Sequence, residues 1–207
     1  MRVNCKHRFV FVSTRKACTH TIYQILDEHF SKGLVQLGFH RNLIPRKYLG
    51  FFRWTMVRNP YSRAVSIWWS GCRCHPEDRY GIRKGCGSGD DFKKFALWLP
   101  TTSEEQRIYE PLLMNQTEWL KPLEPITTIK VEHMEKELPL LPFWNPKIKI
   151  PKLNTTKSKI EDQSTKEGSH ISRPSWQEMC SDEEIQKAIQ QWAGSDFKKF
   201  KYSTEVR

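Results

Sequence analysis

No apolar run in this chain of 207 residues approaches the ~20 residues that a membrane-spanning helix needs. The stretch Met1 to Arg8 also lacks the long apolar segment of a secretory signal. The expectation is a cytoplasmic protein with no membrane contact. Cysteine is scattered rather than framed: Cys5, Cys18, Cys72, Cys74, Cys86 and Cys180 point to reduced thiols instead of a disulfide scaffold. In that setting the glycosylation patterns Asn115-Gln116-Thr117 and Asn154-Thr155-Thr156 are chance matches. Acidic residues are outnumbered, 23 Asp and Glu against 34 Lys and Arg. The formal net charge of +11 suits an anionic partner without choosing between nucleotide, nucleic acid and acidic polymer. The length fits one domain over residues 1–207 with a sizeable core.

What is present begins with Phe51-Phe52-Arg53-Trp54-Thr55-Met56-Val57, an apolar, β-prone run that stops at Arg58-Asn59-Pro60 and then changes to helical spacing through Ser66. The pattern predicts a buried strand feeding a helix, with Asn59 as N-cap and Pro60 at the first helical position. Arg58 then lies at the strand's carboxyl end, where open α/β sheets bind ligands, beside a helix end whose unpaired N–H groups favour an anion. Ser66, about two turns on, adds a hydroxyl. Phe9-Val10-Phe11-Val12 repeats the plan: a short strand, the polar loop Ser13 to Cys18, and a helix from Thr19 with Ile22, Ile25, Leu26 and Phe30 at helical spacing. That loop has no glycine, so it is no Walker A sequence, which requires G-x-x-x-x-G-K-[ST].

Gly33 to Phe39 reads as a strand between these two, with His40-Arg41 at its exit. Gly71 to Asp90 reads as an exposed excursion before a helix over Asp91 to Leu99. Glu104 to Leu120 is helical in pattern, with Pro111 expected to kink it or start a second helix. Ile126 to Val131 is a strand, Glu132 to Leu138 a short helix, and Asp182 to Trp192 an amphipathic helix. Prolines 139, 142, 146 and 151 impose an extended path, and Asn154 to Pro174 reads as polar and mobile. Phe-Lys-Lys-Phe at 92–95 and 197–200 is too short to mark a repeat architecture.

Two phosphate-type sites at the ends of two parallel strands suit a nucleotide carrying phosphates at two positions. The pair Lys16-Ala17-Cys18-Thr19-His20-Thr21 and Arg58-Asn59-Pro60-Tyr61-Ser62-Arg63-Ala64-Val65-Ser66 resembles the 5′-phosphosulfate loop and the 3′-phosphate motif of sulfotransferases that use 3′-phosphoadenosine-5′-phosphosulfate. The likeness is greatest to their carbohydrate branch and extends through Asp91 to Leu99, Pro111 to Leu120 around Gln116, Val131 to Met134, Leu153 to Thr156 and Asp196 to Phe200. It departs at Cys18, where Gly or Ala is usual, and at His20, where Ser or Thr is usual.

The resemblance implies an α/β, P-loop-like sulfotransferase fold with a central parallel sheet flanked by helices. It implies an enzyme whose partners are the nucleotide sulfate donor, released as 3′-phosphoadenosine-5′-phosphate, and an acceptor hydroxyl on a glycan, with no metal. Lys16 would contact the 5′-phosphosulfate and stabilise charge on the bridging oxygen, helped by donors from Thr19, His20 and Thr21, while Arg58 and Ser66 would hold the 3′-phosphate. His40 lies where related enzymes place a catalytic histidine and is the candidate base, with His20 as the alternative and His29 and His133 as structural residues.

Each assignment has a plainer counterpart: a turn histidine at position 40, a solvated lysine at 16, ordinary capping at 19–21, an ion pair at Arg58, and a helix-surface hydroxyl at Ser66. Arg63 packs across its helix in the plainer reading, and Lys152, Asn154, Thr155 and Lys157 form either a basic loop over the nucleotide or a polar linker. Cys72, Cys74, His75 and Cys86 are metal-ligand types without a finger spacing, and Arg83-Lys84-Gly85 is a coincidental phosphate signature. The eight tryptophans are core or helix-packing residues for the most part, with one or two in loops able to stack on a sugar. Two other functions stay open at this level. An ATP-dependent P-loop-like kinase would need magnesium. A non-enzymatic basic protein would bind nucleic acid or acidic glycans with strong salt dependence.

Overall fold

The structure, a computed structural model, describes residues 1–38, 41–73, 91–151 and 175–206, with backbone only at 72 and 73. Its strands are β1 (Arg2–Asn4), β2 (Phe9–Val12), β3 (Leu34–Gln36), β4 (Phe52–Val57) and β5 (Thr127–Lys130). The helices are α1 (Thr19–His29), α2 (Pro60–Trp68), α3 (Phe92–Trp98), α4 (Glu104–Tyr109), α5 (Gln116–Leu120), α6 (Met134–Glu137), α7 (Trp176–Met179) and α8 (Glu183–Phe200). The five strands form one sheet in the order β3-β1-β2-β4-β5. The chain is therefore a mixed α/β protein.

The centre of the sheet is parallel, β2 with β4 and β4 with β5, in registers that pair Val12 with Thr55 and Val57 with Lys130. The other half differs from the expected parallel sheet, because β1 is antiparallel to both β2 and β3. The physical reason is local: β1 and β2 are joined through Cys5–Arg8, a connection long enough for a hairpin and far too short for a parallel crossover. Three residues of β1 carry too little periodicity to be read from the sequence alone. The strand expected over Gly33 to Phe39 shortens to the edge strand Leu34–Gln36, with Val35 exposed.

Alternation along the strands covers both faces of the sheet, as a period of two demands. Phe9 and Phe11 pack with Ile22, Ile25 and Leu26 of α1 and with Trp54 and Met56. Val10, Val12 and Val57 turn to the other face, against Tyr48, Leu120 and Phe200. A further cluster joins α2, α3 and α8 through Tyr61, Val65, Trp68, Phe95, Ile189 and Trp192. Trp54, Trp68, Trp119, Trp144 and Trp192 are buried and Trp69, Trp98 and Trp176 half-buried, so all eight are packing residues.

Helix boundaries follow capping chemistry. Asp91 caps α3 through the Lys94 N–H, and Asn59 caps α2 through the Tyr61 and Ser62 amides with Pro60 at the first position. The segment Glu104 to Leu120 divides around Pro111 into α4, closed by a capping box at Ser103, and α5, capped by Asn115. That role takes Asn115 into the interior, where it is 6 % exposed. The last helix extends past Trp192 to Phe200 because Ala193, Phe197 and Phe200 continue the buried stripe across a kink at Ala193. No helix among the described residues is long and apolar enough to cross a membrane.

Truncation of Phe11 to Ala in the doubly covered sheet is expected to cost about 3–5 kcal/mol in chemical denaturation, whereas Leu140→Ala, at a site 80 % exposed, is expected to stay within about 0.5 kcal/mol. Asn59→Ala removes the cap of α2 and is expected to cost about 1 kcal/mol in the same measurement.

Candidate functional site

Parallel pairing in this register brings the carboxyl ends of β2, β4 and β5 to one edge of the sheet, so the segments beginning at Ser13, Arg58 and Val131 emerge side by side. The first, Ser13 to Cys18, has its backbone tied inward. The Thr14 carbonyl accepts from the Thr19 hydroxyl at 3.1 Å and the Ala17 N–H at 3.4 Å. The Arg15 carbonyl accepts from Arg63 Nε at 3.2 Å, and the Lys16 carbonyl from Arg58 Nη1 at 3.3 Å. The Thr14 hydroxyl also meets that of Thr55 in β4 at 2.8 Å, inside the protein. Arg15 Nη1 reaches Glu110 Oε1 at 3.1 Å.

This bracing holds an uncommon backbone. Lys16 and Cys18 have φ of 64° and 54°, left-handed values that cost a non-glycine residue of order 1–3 kcal/mol and that cluster where a segment must present its backbone. Cys18 is the N-cap of α1 and supplies no side-chain acceptor. The first ladder bond of the helix is from the Ile22 N–H to the Cys18 carbonyl, so the amides of Thr19, His20 and Thr21 form the open end typical of an α-helix. Thr19 and Thr21 are buried, with the Thr19 hydroxyl donating to the Thr14 carbonyl, and His20 is exposed. Burial raises the Cys18 thiol pKa above its usual value, against the opposing pull of Arg58.

The amino end of α2 behaves differently from the sequence expectation. Pro60 has no N–H, Asn59 Oδ1 accepts from Tyr61 and Ser62, and the Arg63 N–H is bonded to the Asn59 carbonyl at 2.8 Å. Its amides are therefore satisfied within the chain. What this turn presents to an anion is the Arg58 side chain. Nε donates to Ser62 Oγ at 2.9 Å and Nη1 to the Lys16 carbonyl, while Nη2 makes no hydrogen bond among the described residues. Burial lowers the Arg58 pKa, countered by the nearby Cys18, Glu132 and Tyr202. Ser66 lies farther along α2 and is 9 % exposed.

Arg63 is the structural arginine. It is 1 % exposed, donates through Nε to Arg15 and through Nη2 to the Leu112 and Met114 carbonyls, and lies 5.3 Å from the centre of the Trp192 ring. Burial brings its pKa down to about 10, with Asp196 opposing.

The peptide groups at the β4–α2 turn are held from two further directions. Gln116 Oε1 accepts from the Arg58 N–H at 2.8 Å, and its Nε2 donates to the Arg58 carbonyl at 2.8 Å. Glu132 Oε1 accepts from the Asn59 N–H at 2.9 Å, and Glu132 Oε2 from the Tyr202 hydroxyl at 2.9 Å. Burial, then Glu132, push the Tyr202 pKa far up, which keeps its proton on this bond.

The structure thus brings Lys16, Thr19, His20, Thr21 and Arg58 to one sheet edge, with Ser66 in the helix that leaves it. His40 lies outside the described residues, as do Phe39, the 152–174 segment with Lys152, Asn154, Thr155 and Lys157, and the 74–90 segment with Cys74, His75, Arg83, Lys84, Gly85 and Cys86. Among the described residues no group of His, Cys, Asp or Glu is arranged for a metal, and Cys5, Cys18 and Cys180 are free thiols. Sequence reasoning assigned no role to the bracing residues Gln116, Glu132, Asp196 and Tyr202. The one local signal was Asp196, a carboxylate on the apolar stripe of α8.

No individual curated protein and no solved structure matches the chain. A family model described as the sulfotransferase family matches residues 1–203. Nearly the whole chain is covered, and the paired anion-type loops lie within the match, so the chain belongs to the sulfotransferase family.

Proposed function

We propose that this chain is a single-domain enzyme with a P-loop-like fold that moves a sulfuryl group from 3′-phosphoadenosine-5′-phosphosulfate to a hydroxyl of a carbohydrate. The observation that carries the reading is the bond from Arg58 Nη1 to the Lys16 carbonyl, which joins the β2–α1 loop to the β4–α2 turn at the ends of adjacent parallel strands. One nucleotide with phosphates at two positions suits two linked anion sites better than a polymer or a singly substituted nucleotide does. The uncapped end of α1 suits the 5′-phosphosulfate, and the Arg58 guanidinium, whose Nη2 makes no hydrogen bond among the described residues, suits the 3′-phosphate.

The donor supplies the activated sulfuryl group. The chain's own residues bind and orient it, and stabilise charge as the bond to the bridging oxygen breaks. In this proposal Lys16 and the amides of Thr19, His20 and Thr21 hold the 5′ end, and Arg58 and Ser66 the 3′ end. Preorganised donors of this kind are what transfer of an anionic group chiefly needs. Removing the acceptor's proton as its oxygen attacks sulfur in line falls to His40, a side chain poised near neutral pH, with His20 on the exposed first turn of α1 as the alternative base. The carbohydrate acceptor rests on the motif likeness to the carbohydrate branch.

In a thermal-shift experiment 3′-phosphoadenosine-5′-phosphate is expected to raise Tm by roughly 5–10 °C at about 100 times its Kd, well above the effect of AMP or ATP at equal concentration. Equal shifts for the three nucleotides contradict the donor assignment. With a radiolabelled sulfate donor and glycan acceptors, Lys16→Ala is expected to lower transfer by about 10²–10³-fold and His40→Ala by about 10²–10⁴-fold, both with unchanged circular dichroism. Full activity in His40→Ala together with loss in His20→Ala assigns the base to His20.

A further inference from the structure

Helix α8 buries a stripe made of Ile189, Trp192, Ala193, Phe197 and Phe200, and within it Asp196 is 0 % exposed. An ionised carboxylate in such a place is costly unless its oxygens are hydrogen-bonded. They are. Oδ2 accepts from the Gln116 N–H at 2.8 Å and from Gln116 Nε2 at 3.2 Å, and Oδ1 accepts from the Thr117 N–H at 2.7 Å.

The second of these bonds has an orienting effect. A carboxylate only accepts, so the end of the Gln116 amide facing Asp196 has to be the NH₂ group. That leaves Oε1 as the end facing the Arg58 N–H and lets the other Nε2 hydrogen meet the Arg58 carbonyl. A reversed amide would set oxygen against the Asp196 carboxylate and against the Arg58 carbonyl at once. Asp196 therefore reinforces the orientation that the Arg58 N–H and carbonyl also require, in which Gln116 grips Arg58 on both sides of its Cα. Past the last β4–β5 register pair, Val57 with Lys130, the grip does for Arg58 what a ladder partner does within the sheet.

We infer that Asp196 and Gln116 are positioning residues for 3′-phosphate recognition: the buried carboxylate orients the glutamine amide, and the amide fixes the backbone from which the Arg58 guanidinium reaches the anion. The inference rests on the proposed donor site and deepens it. Neither residue touches the nucleotide, so their loss acts on the 3′-phosphate alone and leaves the grip of α1 on the 5′-phosphate in place.

The test is calorimetric titration of the full chain and its Gln116→Ala and Asp196→Asn variants with 3′-phosphoadenosine-5′-phosphate and with AMP. Both variants are expected to lose roughly tenfold or more in affinity for the 3′-phosphorylated nucleotide while AMP affinity stays within about twofold. Adding either change to Arg58→Ala is expected to bring no further loss, because the residues act through that side chain. Gln116→Ala leaves the two backbone amides bonded to Asp196 and carries the test if Asp196→Asn does not fold. A wild-type protein that does not prefer the 3′-phosphorylated nucleotide overturns the donor reading and this inference with it. A wild-type preference retained in both variants, or an equal loss for both nucleotides, overturns the inference and leaves the donor reading standing.

Discussion

The parallel pairing of β2 with β4 is the constraint on which the site depends. With Val12 opposite Thr55, both strands end at the same edge, and the loops that follow them have to lie together. The threonine pair at 2.8 Å then fastens the first loop to the second strand just inside that edge. A hydroxyl–hydroxyl bond in the interior tolerates little displacement, since separating the two groups leaves the Thr14 hydroxyl unsatisfied while Thr55 keeps its bond to the Val12 carbonyl at 2.7 Å. In the proposed reading Lys16, the amides of Thr19, His20 and Thr21, and Arg58 follow closely on this junction, and Ser66 lies farther along α2.

Around it the chain accepts unfavourable features and compensates for them locally. Two left-handed residues, a buried arginine and a buried carboxylate all lie within the same hydrogen-bond system. Arg63 holds the Arg15 carbonyl and the segment before α5, and Asp196 holds the first amides of α5. The C-terminal helix thereby bears on a turn more than a hundred residues earlier in the chain, and Tyr202 does the same through Glu132. A network of this density resists small displacements of the Arg58 backbone, and precise placement of charge is the property that transfer of an anionic group most requires.

Local pattern carried the strand–loop–helix units a long way. Phe9 to Val12 and Phe52 to Val57 alternate across two covered faces, the helical spacing after Thr19 is regular, and Asn59-Pro60 is a strong start signal. Pairing partners are not a local property, so the antiparallel β1 hairpin leaves no mark in the local pattern, and Gly33 to Phe39 has the pattern of a longer strand than the Leu34–Gln36 it forms. Within the proposed site, Arg58 stands out as a candidate because it directly follows β4, and Lys16 because it lies in the loop between β2 and α1. The capping of α2 by Asn59 was legible too, but its consequence, a helix end with no amides to offer, follows only from counting the bonds made. Gln116 and Asp196 were not legible as a pair, because only the folded chain brings residues 80 positions apart into one hydrogen bond.

The central claim is that one nucleotide bridges two linked anion sites, its 5′-phosphate at the end of α1 and its 3′-phosphate at Arg58. A phosphorus NMR titration of 3′-phosphoadenosine-5′-phosphate resolves the two groups. The account predicts that the wild-type protein shifts both resonances and that Arg58→Ala suppresses the response of the 3′-phosphate while that of the 5′-phosphate persists. A 3′-phosphate resonance that is unmoved by the wild-type protein, or that moves equally with Arg58→Ala, contradicts it.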